Sequence, residues 1–369
     1  MPKLFETTTL KNMTLPNRFV RSATWEGRAN QDGSCTHGLI NMMTQLARGG
    51  VGLIITGHAY VRKDGQAGPW QLGVYSDQLI QGLTEMTEAV HKENGKIVMQ
   101  LAHAGCQAPF ELTGLEPLAP SVMENQEGSS CREMTQADIS KVIEVFARGA
   151  VRAKQAGFDG VQIHAAHGYL LSQFLSPFFN KRTDEYGETI ENRTRVVLEV
   201  IEGIRASVGH DFPVLIKINS EDFLDKGLAV EDMLHAAALL EQAGIDAIEL
   251  SGGTAYSGRR IPVRIAKIDT EEKEVFYRAA AKRYKERITV PLMLVGGIRS
   301  YEVAERLVDK GIADYISLCR PLIREPDLIN RWKQGDTSKA TCLSDNLCFK
   351  PTRAGQGLYC VTEKRLRNK

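Results

Sequence analysis

The sequence has no long apolar run and almost no net charge, and these two absences exclude whole classes of protein. Among its 369 residues, 46 basic side chains are balanced by 45 acidic ones. A chain without a basic excess lacks the electrostatic footprint of proteins that bind nucleic acids or anionic membrane surfaces. No segment is apolar over the roughly 20 residues that a membrane-spanning helix requires. We therefore expect a small-molecule substrate, with neither nucleic acid nor membrane as a partner.

Secretory features are also missing from the chain. Residues 1–21 have neither the basic start nor the apolar core of a signal peptide. The seven cysteines are an odd number and mostly scattered, which fits a reducing compartment better than a disulfide framework. These features predict a cytoplasmic protein, and they leave a homo-oligomer open.

Eight short apolar segments alternate with segments of helical periodicity. Several are continuously apolar, as expected of parallel strands that are buried on both faces. The predicted strands are Phe19–Trp25, Gly52–Val61, Lys96–His103, Gly160–Ala165, Pro213–Ser220, Ala247–Gly252, Pro291–Gly296 and Asp314–Cys319. The predicted helices are Leu39–Arg48, Asp77–Asn94, Thr135–Gln155, Glu191–Ser207, Val230–Gln242, Glu272–Glu286 and Ser300–Asp309. Three of them are followed by helix-stopping glycines, Gly157, Gly244 and Gly311.

This alternation predicts the fold class. It indicates an α/β protein, a (β/α)8 TIM barrel over residues 1–335, with a short cysteine-containing extension over residues 336–369. An open, doubly wound sheet is the alternative on pattern alone. The early Gly-x-Gly-x-x-Gly turn that would favour that alternative is absent.

The fourth predicted strand is followed by two histidines and a tyrosine, His164, His167 and Tyr169. On an ideal strand, residues three apart point to opposite faces, so the two histidines would diverge. The strand is expected to end near Ala165, and Gly168 allows a sharp departure that lets the three side chains converge. Catalytic residues of TIM barrels lie at such carboxyl ends of strands. A metal site is the competing interpretation of His-x-x-His, with His58 or His103 as a third ligand.

Polar residues or glycines also follow the other predicted strands. Lys217 interrupts an apolar strand, and a buried lysine needs an anion, which a carboxylate at the barrel rim would supply in the simplest case. Strands seven and eight end where this fold commonly binds phosphate through backbone N–H groups. The exit residues are Ser22, Ala23, Thr24, Trp25, Thr56, Gly57, His58, Gln100, His103, Lys217, Asn219, Gly252, Gly253, Gly296, Gly297, Cys319 and Arg320.

An ordered string of motifs in this region resembles the old yellow enzyme family. It comprises His-Ala-Ala-His-Gly-Tyr-Leu from His164, then Phe-Leu-Ser-Pro, Arg-Thr-Asp-Glu-Tyr-Gly and Glu-Asn-Arg. Matching segments run from Asn17 to about Pro326, with Glu188 and Cys319 standing where the family usually has glycine. The resemblance implies an FMN-binding TIM barrel that uses NADH or NADPH as reductant. It implies FMN contacts from Ser22, Ala23, Thr24, Gly57, His58, Gln100, Lys217, Gly252, Gly253, Gly296, Gly297, Cys319 and Arg320.

Within that set the resemblance assigns particular roles. Lys217 faces the N1/O2 edge of the flavin and stabilises its reduced, negatively charged form, and Gln100 bonds the pyrimidine edge. His164 and His167 hydrogen-bond the electron-withdrawing oxygen of an activated alkene, and Tyr169 delivers the proton. Trp25 and Tyr256 are expected at the substrate pocket, beneath a loop over Gly105–Met134.

Two other functions stay open at this point. One keeps the flavin but removes an amine or methyl group by oxidation, or passes electrons to another acceptor as a diaphorase. The other is a non-catalytic barrel that serves as a binding module, because a fold alone does not settle function.

The carboxyl-terminal tail contains Cys342, Cys348 and Cys360. It resembles the iron–sulfur segment of the 2,4-dienoyl-CoA reductase branch, which has four cysteines there. In this sequence Asp345 replaces the second cysteine, whereas such a cluster normally uses four thiolates. Three thiolates and a carboxylate predict a site for zinc or a labile cluster, and a remnant without metal is an equal alternative.

Overall fold

The computed structural model describes residues 2–126 and 128–367, so the outer limits of the two predicted segments, residues 1 and 369, lie outside it. Eight parallel strands form one sheet in the order β4-β5-β6-β7-β8-β1-β2-β3, and β3 also pairs with β4. That last pairing closes the sheet, so the predicted TIM barrel is confirmed and the open sheet is wrong. The strands are β1 Phe19–Arg21, β2 Leu53–Ile55, β3 Ile97–Ala102, β4 Gly160–Ala165, β5 Val214–Asn219, β6 Ala247–Ser251, β7 Leu292–Leu294 and β8 Tyr315–Leu318.

Seven longer helices pack around the barrel, and each overlaps a predicted one. They are α1 His37–Arg48, α2 Ile80–Lys92, α3 Gln136–Gln155, α4 Ile190–Val208, α5 Val230–Gln242, α6 Arg278–Arg287 and α7 Tyr301–Asp309. The short helices Arg320–Arg324 and Leu328–Lys333 follow β8. The predicted stops at Gly157, Gly244 and Gly311 all have positive φ, the left-handed conformation that glycine adopts at low cost.

One predicted helix begins six residues later than expected, at Arg278 and not at Glu272. The preceding residues are bonded to the turn after β7, because Phe276 N–H donates to Gly296 O at 2.9 Å. The carboxylate of Glu274 accepts from the backbone N–H groups of Arg299 and Ser300. These long-range bonds hold residues 252–277 as a loop, and helical periodicity does not reveal them.

The barrel interior is apolar at the bottom and polar at the top. Its lower part is a cluster of buried side chains that includes Val20, Ile55, Val98 and Met293. An antiparallel hairpin, Thr8–Leu10 with Met13–Leu15, places further apolar side chains in that cluster and plugs the amino-terminal end of the barrel. The hairpin was not predicted. With the bottom sealed by apolar contacts, only the carboxyl-terminal mouth offers polar groups to a ligand.

Two additions cover that mouth. The predicted loop after β3 contains a helix, Phe110–Thr113, and three short strands, Leu118–Ala119, Met123–Glu124 and Ser130–Glu133. The tail contributes the helices Phe349–Arg353 and Val361–Arg367. Its backbone is bonded to the barrel, since Leu358 N–H donates to Glu26 O at 2.8 Å and Ala340 N–H donates to Arg299 O at 3.0 Å.

In the part of the chain that the structure describes, no helix combines the length and apolarity needed to cross a membrane.

Candidate active site

The turn after β4 is left-handed at two successive residues, with φ of 64° at His167 and 75° at Gly168. A residue with a Cβ atom pays roughly 1 kcal/mol in this region, so neighbouring contacts must hold His167 there. Its backbone N–H donates to Asn219 Oδ1 at 3.1 Å, and its carbonyl accepts from Gln107 at 3.1 Å. The turn reverses the direction that strand geometry would give His167 and brings its ring back toward His164.

Four rings consequently meet above the barrel, and we call them the neutral wall: His58, His164, His167 and Tyr169. The ring centroids of His164 and His167 are 5.2 Å apart, and those of His164 and Tyr169 are 4.7 Å apart. His167 Nε2 lies 2.7 Å from Ser251 Oγ, and Tyr169 Oη lies 3.2 Å from His58 Nε2. The structure therefore brings together the three residues that the sequence singled out, with His58 as the partner of the tyrosine.

The neutral wall carries no charge at pH 7. Burial lowers the pKa of His58 to about 4, and it lowers the pKa of His164 and of His167 well below the ordinary value. Mutual repulsion and Lys217 add to the effect at His164. Burial also raises the pKa of Tyr169, so its hydroxyl keeps its proton. A site of this kind donates hydrogen bonds and a proton without placing a cation beside the ligand.

A second set of inward-facing side chains, which we call the charged wall, runs from β3 to β1. Its links are Gln100 Nε2 to Gln162 Oε1 at 2.7 Å, Gln162 Nε2 to Glu249 Oε2 at 3.0 Å, Lys217 Nζ to Glu249 Oε2 at 3.2 Å, and Lys217 Nζ to Ser22 Oγ at 2.8 Å. All five side chains are buried. The carboxylate that the sequence argument required for Lys217 is thus Glu249, which was not predicted.

Glu249 is ionised within this wall. Burial by itself would raise the pKa of Glu249, but the Lys217 ammonium and the amide of Gln162 more than offset that effect and lower it. Its Oε1 is buried without a hydrogen-bond partner, which leaves an acceptor aimed into the mouth. A buried ion pair that is completed by neutral hydrogen bonds is stable, whereas either charge alone would be costly.

A further ion pair, missed in the sequence, lies at the exits of β1 and β2. Arg21 Nη2 contacts Glu26 Oε1 at 2.9 Å, and the same oxygen accepts from the N–H of Gly57 at 2.7 Å. A Cβ atom at Gly57 would lie 2.0 Å from Glu26 Oε2. This position therefore requires glycine for packing, whatever contact it makes with a cofactor.

The glycine pair after β7 forms a tight corner, with φ of 120° at Gly296 and 79° at Gly297. A Cβ atom on either residue would lie within 3 Å of the ring of Tyr277 or Phe276. Arg320, after β8, donates from Nη1 to Asn346 Oδ1 at 2.7 Å, so the tail holds its guanidinium. Cys319 Sγ lies 2.7 Å from Thr24 Oγ1, which joins two predicted cofactor positions.

The two predicted substrate-pocket residues occupy different surroundings. Trp25 is half-buried against Gly68, and its Nε1 is buried with no hydrogen-bond partner within the described residues. Tyr256 packs against Phe178 and Phe179, with ring centroids 5.6 and 5.4 Å away, beneath the small covering sheet. Tyr256 therefore belongs at least in part to the packing of that cover.

The tail cysteines lie close together without forming a recognisable metal site. Cys342, Cys348 and Cys360 line one small cavity with Asp345. Across residues 2–126 and 128–367, no three His, Cys, Asp or Glu side chains are arranged to hold a metal ion. Burial raises the pKa of Cys348 to about 12 and raises that of Cys342, so these thiols are protonated and are poor ligands at pH 7. The predicted metal site gains no geometric support.

The histidine metal site gains none either. The third ligand considered for it, His103, lies with its Nε2 3.3 Å from Asp64 Oδ1 and is fully buried there.

The residues at the mouth fit a flavin with a phosphate tail. Such a ligand needs partners for a polar ring edge, a phosphate cradle and a face open to substrate. The charged wall offers Lys217, Gln100 and the unpaired Oε1 of Glu249 to the ring edge. The Gly296–Gly297 corner beside Arg320 supplies the cradle. The neutral wall leaves His164 Nδ1 buried without a protein partner among the described residues.

A closed parallel barrel with a polar mouth of this composition defines a class of cofactor-dependent barrel proteins. A family model described as NADH:flavin oxidoreductase / NADH oxidase matches residues 3–339. The chain belongs to this family, and the resemblance to old yellow enzymes is confirmed.

Two relatives show the extent of the similarity. The NADH oxidase of Thermoanaerobacter brockii is 36% identical over 350 residues, which cover 94% of this chain but 53% of that protein. The NADPH dehydrogenase of Bacillus subtilis (strain 168) is 36% identical over 326 residues, with 88% of this chain and 92% of that protein covered. The chain thus spans about half the length of the first relative and nearly all of the second.

Solved structures agree with this assignment. A 2-naphthoyl-CoA reductase in complex with 2-naphthoyl-CoA superposes with a TM-score of 0.91 at 27% identity, covering 99% of this chain and 57% of that one. The old yellow enzyme homologue from Zymomonas mobilis gives a TM-score of 0.77 at 27% identity, covering 92% and 94%.

Proposed function

We propose that this chain binds FMN across the barrel mouth, takes hydride from NADH or NADPH, and reduces an activated C=C bond such as that of an enone or enoate. The observation that carries the proposal is the neutral wall, where two uncharged imidazoles and a protonated phenol meet within about one ring diameter. Bound flavin supplies the hydride, and the protein's own groups must orient and polarise the acceptor.

His164 and His167 are assigned to the electron-withdrawing oxygen of the substrate. Both rings have lowered pKa values, so each is a neutral donor whose hydrogen bond strengthens as charge develops on that oxygen. The left-handed turn at His167 fixes the second donor, and its Nε2 contact with Ser251 orients the ring. Substrate oxygen held by two fixed donors keeps the double bond in one position, which is the larger part of the rate gain.

Tyr169 is assigned as the proton donor to the α-carbon. Its raised pKa keeps the hydroxyl protonated, and His58, 3.2 Å away, holds that hydroxyl from the side. His58 Nε2–H donating to the phenol oxygen would leave the phenol's own proton free for the substrate. His58 was predicted only as a cofactor contact, so this positioning role adds to that prediction.

The proton-donor assignment is tested with Tyr169→Phe in two separate half-reactions. Anaerobic stopped-flow should show cyclohexenone reduction slowed by about 100-fold or more, the usual range for loss of a general acid. Flavin reduction by NADPH needs no such proton and should change little. Equal slowing of both half-reactions would contradict the assignment.

A diaphorase or oxidase on the same barrel is the second candidate. The relatives at 36% identity are called NADH oxidase and NADPH dehydrogenase, names that specify no alkene. An enzyme that NADPH reduces but cyclohexenone fails to reoxidise under anaerobic conditions would favour this candidate. A colourless protein that takes up no FMN would favour a binding module instead.

A further inference from the structure

Arg264 lies in the loop between β6 and α6, at the same corner of the mouth as the Gly296–Gly297 turn. Its guanidinium carbon is 4.8 Å from the ring centres of Phe223 and Phe276 and 5.2 Å from that of Tyr277. Its carbonyl accepts a hydrogen bond from Arg320 Nη1 at 2.8 Å. Three rings and a second arginine therefore hold the residue in place.

The exposed edge of this guanidinium is unusual. Nε and Nη2, which together form the fork that binds an oxyanion side-on, are both buried and have no hydrogen-bond partner within the described part of the chain. Arginine stays charged in proteins, so the fork cannot be neutralised by losing a proton. Glu221 lies close enough to interact electrostatically, but it forms no ion pair with Arg264 within 4 Å among the described residues.

Aromatic faces alone are a weak substitute for an anion. A cation over a ring gains about 0.5–2 kcal/mol, whereas an unpaired buried charge costs several kcal/mol. The buried fork therefore points to an oxyanion as its partner.

The position of the fork indicates which oxyanion. Phe276 and Tyr277, on which Arg264 stacks, are the rings that a Cβ atom on Gly297 or Gly296 would strike. This corner lies at the carboxyl ends of β6 to β8, where TIM barrels commonly bind phosphate. The neutral wall, at the end of β4, lies four strands away from β8 around the closed sheet. The substrate's own polar group is thus expected on the opposite side of the mouth.

We propose that Arg264 is a second guanidinium for the FMN phosphate, and that its Nε–Nη2 fork makes the site select a phosphate monoester over the bare ribityl alcohol of riboflavin. A phosphate dianion facing both Arg264 and Arg320 would pair the buried charge that the loop carries. The proposal rests on flavin binding and not on alkene reduction. None of the predicted cofactor residues included Arg264, because the sequence places it in the middle of a long polar loop.

The test compares the affinity of the full-length apoprotein for FMN and for riboflavin, measured by quenching of flavin fluorescence. Arg264→Met should weaken FMN binding by about 10- to 100-fold, the usual loss for a charge-assisted bidentate contact. Riboflavin binding should change by less than about threefold, because riboflavin has no phosphate to lose. Arg264→Lys, which keeps the charge without the fork, should fall between wild type and Met.

Two controls sharpen the result. Arg259→Met removes the same charge from an exposed position of the same loop and should leave both affinities unchanged. Inorganic phosphate should compete with FMN, and not with riboflavin, in the wild-type protein, and this competition should weaken in Arg264→Met.

Equal weakening of FMN and riboflavin binding would overturn the proposal, since Arg264 would then act only through the fold of the loop. Unchanged FMN affinity in Arg264→Met would overturn it as well. A wild-type protein that binds neither flavin would refute the proposed function together with this inference, so the two failures are distinguishable.

Discussion

The charged wall and the neutral wall of the barrel mouth both bury polar side chains, but only the charged wall buries formal charges. Lys217 and Glu249 are paired at 3.2 Å, and neutral amides and a hydroxyl complete their hydrogen bonds. The imidazoles of the neutral wall have no carboxylate partner, and their lowered pKa values leave them uncharged. Similar burial is thus stabilised in two ways, by pairing in one wall and by loss of the charge in the other.

This difference corresponds to two tasks. A wall that contains a fixed ion pair keeps one electrostatic environment at every pH near neutrality, which suits a permanently bound redox ring. A wall of neutral donors interacts weakly with a neutral ligand and more strongly with one that gains negative charge during reaction, which suits a substrate. The predictions below test whether the two walls are separable.

The largest effect is expected from Lys217→Met, which leaves Glu249 buried beside no cation. Breaking a buried ion pair on one side costs about 3–5 kcal/mol, and the apoprotein should lose that much free energy of unfolding at pH 7. Urea unfolding monitored by tryptophan fluorescence measures it. Adding Glu249→Gln to this variant should recover a large part of the loss. A double variant no more stable than Lys217→Met would show that the two side chains are not coupled.

Acid should weaken the neutral wall before the charged wall. Each histidine with a lowered folded-state pKa is protonated only in the unfolded chain as pH falls below about 6.5, so its contribution to stability is full above that pH and declines below it. The slope is about 1.4 kcal/mol per pH unit for each such histidine. Between pH 7 and 5.5, wild-type apoprotein should lose about 2 kcal/mol more than His164→Ala/His167→Ala. An identical loss in both proteins would mean that these rings are not held neutral.

The same double variant tests the ligand role of the neutral wall. Phenolic ligands over the flavin should bind about 10- to 100-fold more weakly, because two hydrogen bonds to the phenol oxygen are lost. FMN affinity should be retained, since the charged wall is intact. The measurement is a titration of the flavin absorption spectrum with a substituted phenol. Unchanged phenol affinity would rule out the assignment of both histidines.

The smallest effect is expected from Glu249→Gln in the holoenzyme. The substitution leaves Lys217 without its counter-ion, so the cofactor's surroundings become more positive and favour its reduced form. The FMN reduction potential should rise by roughly 30 mV, which corresponds to about 1.4 kcal/mol for a two-electron couple. Spectroelectrochemistry measures it, and Glu363→Gln on the tail serves as a distant control for loss of a carboxylate. A potential that falls or stays constant would separate the charged wall from the cofactor.

Much of the fold could be predicted from local patterns. The eight strands, seven helices and three glycine stops follow from periodicity and backbone preference, which depend on neighbours in sequence. His164, His167 and Tyr169 could be singled out because they are adjacent along the chain. The late start of α6 and the plugging hairpin could not, since each depends on a contact with a distant segment.

The site's supporting residues show why the rest was hidden. Gln162 was not predicted because it looks like one polar residue in an apolar strand, and only its bonds to Gln100, 62 residues away, and Glu249, 87 residues away, give it meaning. Glu26 and Arg264 were missed for the same reason. The partners of each come from other strands or loops, or, for Arg264, from a ligand.

The sequence by itself therefore determined the closed barrel and the cluster of histidines and tyrosine after β4, because the spacing of apolar and glycine residues is a local property. Only the tertiary structure decided which charges are paired, which imidazoles are neutral and which guanidinium lacks a partner. Those properties depend on burial and on distances of a few ångströms between side chains, such as Lys217 and Ser22, that lie 195 residues apart. Closure of the barrel is what brings such side chains together.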